Sequence, residues 1–177
     1  MGQWPEELMP VGEGEDEKES FDLWWTRNEN QLSNLHPQVA EQWVYRHWQN
    51  SPFFGIKLEQ LTCKLERWDS KRILDHVLML SGPDQLIPMH DYAAFNREYY
   101  DHQTSTALDK GTWDYPIVVL STPEGVMYEK GEFPDERCVL IEGHQRLRYF
   151  NALFHLHGDR LHQDHELFIL TESFDRK

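Results

Sequence analysis

Basic residues are scarce in this chain. Seventeen lysines and arginines stand against 31 aspartates and glutamates, a formal net charge of −14. A protein that grips a nucleic-acid backbone needs a basic face from which counterions are released, and no basic stretch of useful length is present. DNA is therefore a poor expectation for a partner. Long apolar runs are also lacking: none approaches the roughly 18 residues that span a bilayer. The acidic first twenty residues lack the basic-then-apolar pattern of a secretory signal. Together these absences set the expectation of a cytoplasmic protein that does not enter a membrane. Cysteine is limited to Cys63 and Cys138, distant in sequence and in no CxxC, which suits two buried thiols in a reducing compartment. The hydrolase signature Gly-x-Ser-x-Gly is missing, and there are no internal repeats.

What is present suits a packed protein. The 177 residues are 39% hydrophobic and 13% aromatic, enough for one domain with a real core. The first twenty hold seven acids and one base, Lys18, for a net −6, leaving −8 for the rest. Residues 1–20 read as a flexible acidic arm, either solubilising or a docking segment for a basic partner. A single domain is expected over 21–177, opened by a helical extension over 21–52. Ser20 can cap a first helix, and His36-Pro37 opens a second. Val39, Trp43, Val44, His47 and Trp48 recur there at three- and four-residue spacing until Asn50-Ser51-Pro52. That spacing assigns Trp24, Trp25, Trp43 and Trp48 to helix packing. Residues 54–58 read as a short strand. Asp69 can cap a helix through Ile73, Leu74, Val77, Leu78 and Leu80, ended by Ser81-Gly82-Pro83. Residues 84–115 read as an insertion beside the sheet, amphipathic around Tyr92 to Tyr100 and polar from His102 to Lys110.

The last third is clearer. Ile117-Val118-Val119-Leu120 after Pro116 is a buried strand. Thr122-Pro123-Glu124-Gly125 is a turn signal opening a loop or ragged hairpin up to Arg137. Cys138-Val139-Leu140-Ile141 is a second buried strand. Gly143 breaks the run, and a helix follows with Leu147, Phe150, Leu153 and Phe154 inward. Gly158 stops it, and Leu167-Phe168-Ile169-Leu170 closes the unit. The expected class is α+β, a small mixed sheet with helices, its core unit spanning 116–170.

A glycine between a buried strand and a helix allows close approach of backbone to a ligand. The first turn of the helix favours phosphate. Arg146 and Arg148 add forks for phosphate or carboxylate oxygens. His144 and Gln145 add neutral donors, and His144 has the chemistry of a general acid or base. The residues alone leave another role open: Arg146 could pair with Glu142 or another acid and tie helix to sheet.

Residues 139–148, Val-Leu-Ile-Glu-Gly-His-Gln-Arg-Leu-Arg, preceded by Tyr115-Pro116-Ile117-Val118-Val119, resemble the signature half of the ParB/sulfiredoxin superfamily. Its members carry a proline-led strand, a second strand and a Gly-x-x-Arg helix start that holds nucleotide phosphates. Gly143 and Arg146 match that pattern, and Arg148 matches the last arginine of the ParB form. Glu142-Gly143-His144 is closest to the free serine kinase form, whose aspartate Glu142 replaces. The likeness covers about a third of the chain. Upstream, residues 58–77 match only loosely, with Glu66-Arg67 at the turn. The sulfiredoxin cysteine is replaced by His144, so sulfinic-acid chemistry through a thiolate is not implied.

The resemblance implies ATP or CTP bound at Gly143, His144, Gln145, Arg146 and Arg148. Glu142 would hold Mg2+, and Glu66 or His144 would serve as base for phosphoryl transfer or NTP hydrolysis. A carboxylate beside a triphosphate is repulsive without metal, so this activity is expected to be metal-dependent. The other expectation is a non-catalytic acidic interaction module of antitoxin, immunity or regulatory type. It would meet a protein partner through the arm and the Trp-rich helices. A nuclease is a third and weaker expectation. His155, His157, His162 and His165 with Asp159 and Asp164 read either as a metal cluster or as a solvated helix end. His90, Asp91, Glu98 and Asp101 could reach the site from the insertion or simply form a solvated face.

Overall fold

The structure is a computed structural model that describes residues 4–12, 17–49, 51, 53, 55–80, 86–98, 103–124, 126–128, 131–133 and 137–173. Several positions singled out above lie outside these residues: Glu13, Glu15, Asp16, Asn50, Pro52, Phe54, Ser81-Gly82-Pro83, Tyr100, Asp101, His102 and Gly125, with the side chain of Glu98. The chain divides into two units, residues 1–63 with 170–177, and residues 64–169.

Aromatic packing builds the first unit. Ser20, in extended conformation, precedes helix α1 (Phe21–Asn28). Helix α2 (Pro37–Val39) starts on a proline that needs no N–H partner, and the His36 ring accepts from the Gln38 N–H at 3.2 Å. It continues into a wider π-helical turn over Ala40–Tyr45. Trp24, Val39, Trp43 and Val44 are buried, and Trp4 stands edge-on to Trp43 with centroids 5.3 Å apart.

Residues 4–12 and 17–20 are described within the segment expected to be a flexible acidic arm, and several of them pack against the helices. Trp4 and Leu8 are buried, and the Trp24 Nε1–H donates to the Leu8 carbonyl at 2.7 Å. The Arg27 guanidinium holds the carbonyls of Glu7 and Met9 and the Glu19 carboxylate. Lys18 donates to the Tyr45 carbonyl at 2.8 Å. Burying two large apolar side chains is worth about 1.5–3 kcal/mol each, more than the mutual repulsion of exposed acids. The strand expected at 54–58 is absent among the described residues there, which form turns. Leu58–Gln60 is a 3-10 turn, and the strand starts after it.

Strand β1 (Leu61–Asp69) alternates loosely and exposes Lys64, Glu66 and Arg67, as an edge strand does. Asp69 caps helix α3 (Ser70–His76), its carboxylate accepting from the Arg72 N–H at 2.9 Å. This helix ends earlier than its spacing predicts, because Val77–Leu78 leave it as strand β2 and join the sheet. Helices α4 (Pro88–Glu98) and α5 (Gln103–Asp109) fill the insertion.

Strand β3 (Ile117–Thr122) follows Pro116 as expected. A small hairpin, β4 (Val126–Tyr128) and β5 (Gly131–Phe133), supplies the ragged segment. Strand β6 (Arg137–Glu142), helix α6 (His144–His157) and strand β7 (Asp164–Glu172) complete the chain. The sheet order is β1-β7-β3-β6-β2, with β2 parallel and β3 antiparallel to β6. The protein is therefore α+β with a small mixed sheet and helices. Ile117, Val119, Leu140, Leu147, Phe150, Leu153 and Leu167 sit at the centre of the second unit's core, and Phe154 is half-buried. No helix among the described residues is long and apolar enough to cross a membrane. Cys138 is buried and Cys63 half-buried, the two are not joined in a disulfide, and burial pushes the Cys63 thiol up, away from thiolate chemistry.

Leu8→Ala should lower the stability of the first unit by about 2–5 kcal/mol. Urea denaturation followed by tryptophan fluorescence measures it, and a loss below about 0.5 kcal/mol is what a free arm would give.

Candidate functional site

The turn between β6 and α6 is shaped by backbone. Val118 pairs with Glu142 and Val119 with Leu140, so Ile141 is an extra residue and the strand bulges just before the turn. Gly143 follows with φ +103° and ψ 26°, in the left-handed region that glycine enters freely. A Cβ here would lie 2.7 Å from Ile117 Cγ2 and 3.3 Å from Arg146 Nη1. Glycine is thus required both by conformation and by space. Helix α6 then starts with the Leu147 N–H donating to the Gly143 carbonyl at 2.8 Å, and Gly143, as N-cap, brings no side chain of its own to cap it.

Arg146 turns back over this glycine and is buried. Its Nε donates to Asp114 Oδ1 at 3.2 Å, and its Nη1 lies 3.7 Å from Glu142 Oε1. The guanidinium carbon is 5.8 Å from the Tyr115 ring centroid. Thr104 on α5 donates to the Asp114 carboxylate at 3.3–3.4 Å. Side-chain exposure is 8% for Arg146, 8% for Asp114 and 19% for Glu142, so one positive and two negative charges share a poorly hydrated site. The positive end of the α6 dipole offsets part of the acid excess. In this conformation the carboxylates stand at the helix start where a bound anion would gain from the dipole.

One turn along α6, Arg148 donates from Nε and Nη2 to Asp91 Oδ1 at 3.1 and 2.7 Å. Asp91 belongs to the first turn of α4 and is buried, and among the described residues its Oδ2 has no hydrogen-bond partner. His90 is exposed, with Nδ1 3.7 Å from Asp91 Oδ1. Of the insertion group, then, Asp91 does reach Arg148 of α6.

The other sequence candidates are spread more widely. Glu142, Gly143, His144 and Arg146 share the turn, with His144 half-buried and Gln145 exposed. Glu66 stands on β1, where its carboxylate accepts from Trp68 Nε1 at 2.9 Å. Strands β7 and β3 lie between β1 and β6, a separation of about 14 Å at the usual strand spacing. The structure does not bring Glu66 to the glycine.

Asp114 escaped sequence reading, although a signal existed. Antiparallel pairing of two buried strands sets residues just before the first beside residues just after the second. Asp114-Tyr115-Pro116 therefore had to lie next to Glu142–Arg146.

The histidines near the end of α6 serve different contacts, and among the described residues no three His, Cys, Asp or Glu side chains form a metal-ligand group. His155 bonds the Asn151 carbonyl at 2.9 Å, the His157 ring lies tilted against Tyr92 with centroids 4.9 Å apart, and the His162 ring packs against Gly111. His165 is buried against Phe150 and Trp113, with Nε2 3.0 Å from Ser70 Oγ and Nδ1 3.0 Å from Thr112 Oγ1. Burial, reinforced by His162, pushes its pKa down to about 4. Two hydroxyls suit a neutral ring, which donates from one nitrogen and accepts at the other.

No family model, curated protein or solved structure matches the chain.

Two predictions follow from this geometry. Gly143→Ala combines left-handed strain with overpacking against Ile117 and should cost about 2–5 kcal/mol in chemical denaturation. His165 contributes to stability fully above its unfolded pKa of about 6.5, where both states are neutral. Below that the unfolded chain takes the proton first, so stability falls until the folded ring titrates near 4. Denaturation midpoints of wild type and His165→Gln between pH 7.5 and 4 should converge as the pH falls, whereas parallel curves would remove His165 as the cause.

Proposed function

We propose that the chain binds the phosphates of a nucleotide such as ATP or CTP, with Mg2+, at the start of helix α6. The observation that carries this reading is Gly143. A left-handed glycine, closed to any side chain by Ile117, stands at the N-cap of a 14-residue helix, with an arginine folded over it. Helix starts of this kind accept phosphate oxygens on backbone N–H groups. The likeness of Glu142-Gly143-His144-Gln145-Arg146 to the ParB/sulfiredoxin signature supports the same ligand class.

The charge balance sets the condition. With Asp114 and Glu142 against Arg146, a bare triphosphate would meet a net negative site. Mg2+ commonly takes one or two carboxylates with the rest of its shell from phosphates and water, and Glu142 and Asp114 offer that donor set. Such an ion supplies charge neutralisation between carboxylate and phosphate. Arg146 would orient the phosphates. His144, at the same turn, is the group nearest in sequence and element for moving a proton, so phosphoryl transfer or NTP hydrolysis is the activity to look for once binding is established.

A second reading, a non-catalytic acidic interaction module, is favoured by a different observation: Arg146 and Arg148 are each ion-paired within the fold, in a chain of net charge −14. Trp4, Trp24 and Trp43 are core residues of the first unit. A partner would instead meet the exposed Met9, Val11 and Leu23, with Glu6, Glu7 and Asp22 also exposed.

A thermal-shift titration with ATP, CTP, GTP and ADP, with and without Mg2+, separates the two. Ligand at about 100 times its dissociation constant adds roughly 2.7 kcal/mol to the stability of the bound state. The nucleotide reading expects a Mg2+-dependent shift that Arg146→Ala abolishes. Millimolar nucleotide without effect on wild type under either condition would leave the interaction module.

A further inference from the structure

We infer that Asp114 restrains Arg146, so that an internal carboxylate competes with the ligand's phosphate for the guanidinium and makes binding depend on a divalent cation. This rests on the nucleotide reading above and assigns its regulation to a residue outside the Gly-x-x-Arg turn. Asp114 is the closer of the two acids to Arg146, at 3.2 Å from Nε against 3.7 Å between Glu142 and Nη1. It is also the more enclosed, and Thr104 holds it from the other side. An arginine carries five N–H donors in a planar fork, and a phosphate in a bidentate contact takes one of its two edges, Nε with Nη2 or Nη1 with Nη2. Asp114 occupies a donor of the first edge and Glu142 stands 3.7 Å from Nη1 of the second, so a phosphate at either edge meets an internal carboxylate.

The competition is one of like charges. Phosphate and Asp114 both gain from the guanidinium and from the helix start, and at a few ångströms in a poorly hydrated site they repel each other strongly. Two events relieve this. A divalent cation held by the site's carboxylates would offset the repulsion, or the carboxylate would lose its charge. Asp114→Asn imitates the second while keeping the shape and a hydrogen-bonding oxygen for Thr104.

Calorimetric titration with sodium pyrophosphate as the probe, without Mg2+ and with millimolar Mg2+, tests the idea on wild type, Asp114→Asn, Arg146→Ala and Asp114→Asn/Arg146→Ala. The expected result is metal-free binding by Asp114→Asn about tenfold or more tighter than wild type, and lost in the double variant. Wild-type binding that depends on Arg146, with Asp114→Asn no tighter at any Mg2+ concentration, would overturn the restraint and leave the nucleotide reading standing. No binding by either protein, with or without Mg2+, would overturn both. Should Asp114→Asn not fold, the wild type supplies a second measurement through the NMR signal of the Arg146 Nε–H. It should move when Mg2+ and pyrophosphate are added, as the guanidinium leaves Asp114. A signal that stays put while the backbone amides of 143–146 shift would refute the exchange of partners.

Discussion

The ion pairs of Arg146 depend on Gly143, and the junction between sheet and helix depends on both. A left-handed glycine lets α6 begin one residue after β6 ends, so the third residue of the helix can turn back over the strand terminus. There it meets Glu142 from its own strand and Asp114 from the segment leading into β3. Three elements are locked by one guanidinium. Removing one partner from a buried pair of this kind costs about 3–5 kcal/mol, largely because the remaining charge is stranded. Asp91 and Arg148 repeat the device between α4 and α6, at the expense of one buried oxygen left without a donor among the described residues.

The parts of the fold that were legible in the sequence are those where a local signal and the tertiary context agree. Ile117-Val118-Val119-Leu120 and Cys138-Val139-Leu140-Ile141 are apolar on both faces because they become inner strands, and only inner strands need that pattern. Asp69 is a helix cap in sequence and in structure. Where the two disagree, tertiary pairing prevails. Val77 and Leu78 have the spacing to extend α3, yet a parallel ladder with Cys138 and Val139 takes them into the sheet. Residues 1–20 read as a flexible acidic arm, but charge reports on exposed positions, and Trp4 and Leu8 within that segment are buried.

The candidate site divides in the same manner. Gly143, Arg146 and Arg148 could be read because a glycine between an apolar run and a helical repeat is a local pattern. Asp114 could not be read locally, since it lies 32 residues from Arg146 and gains its role only from strand order and register. Glu66 illustrates the converse. A carboxylate in a turn-like Glu-Arg pair has plausible chemistry, but two intervening strands keep it from the glycine. Buried ion pairs are long-range by nature, and no sequence period announces them.

Acidity at a helix start admits two physical outcomes, and they are related. Carboxylates placed at the positive end of a dipole are stable there for the reason that phosphate would be, so the same field that invites a ligand also holds its internal rivals. Which anion wins is set by the cost of moving Arg146 off Asp114 and by whatever cation screens phosphate from carboxylate. A chain of net charge −14 makes screening more important, since the background potential repels every polyphosphate before it arrives. A Mg2+-bound nucleotide carries less of that penalty than a bare one, and a basic protein surface carries none. The nucleotide and interaction readings are therefore two answers to one electrostatic question, and the mobility of a single guanidinium separates them.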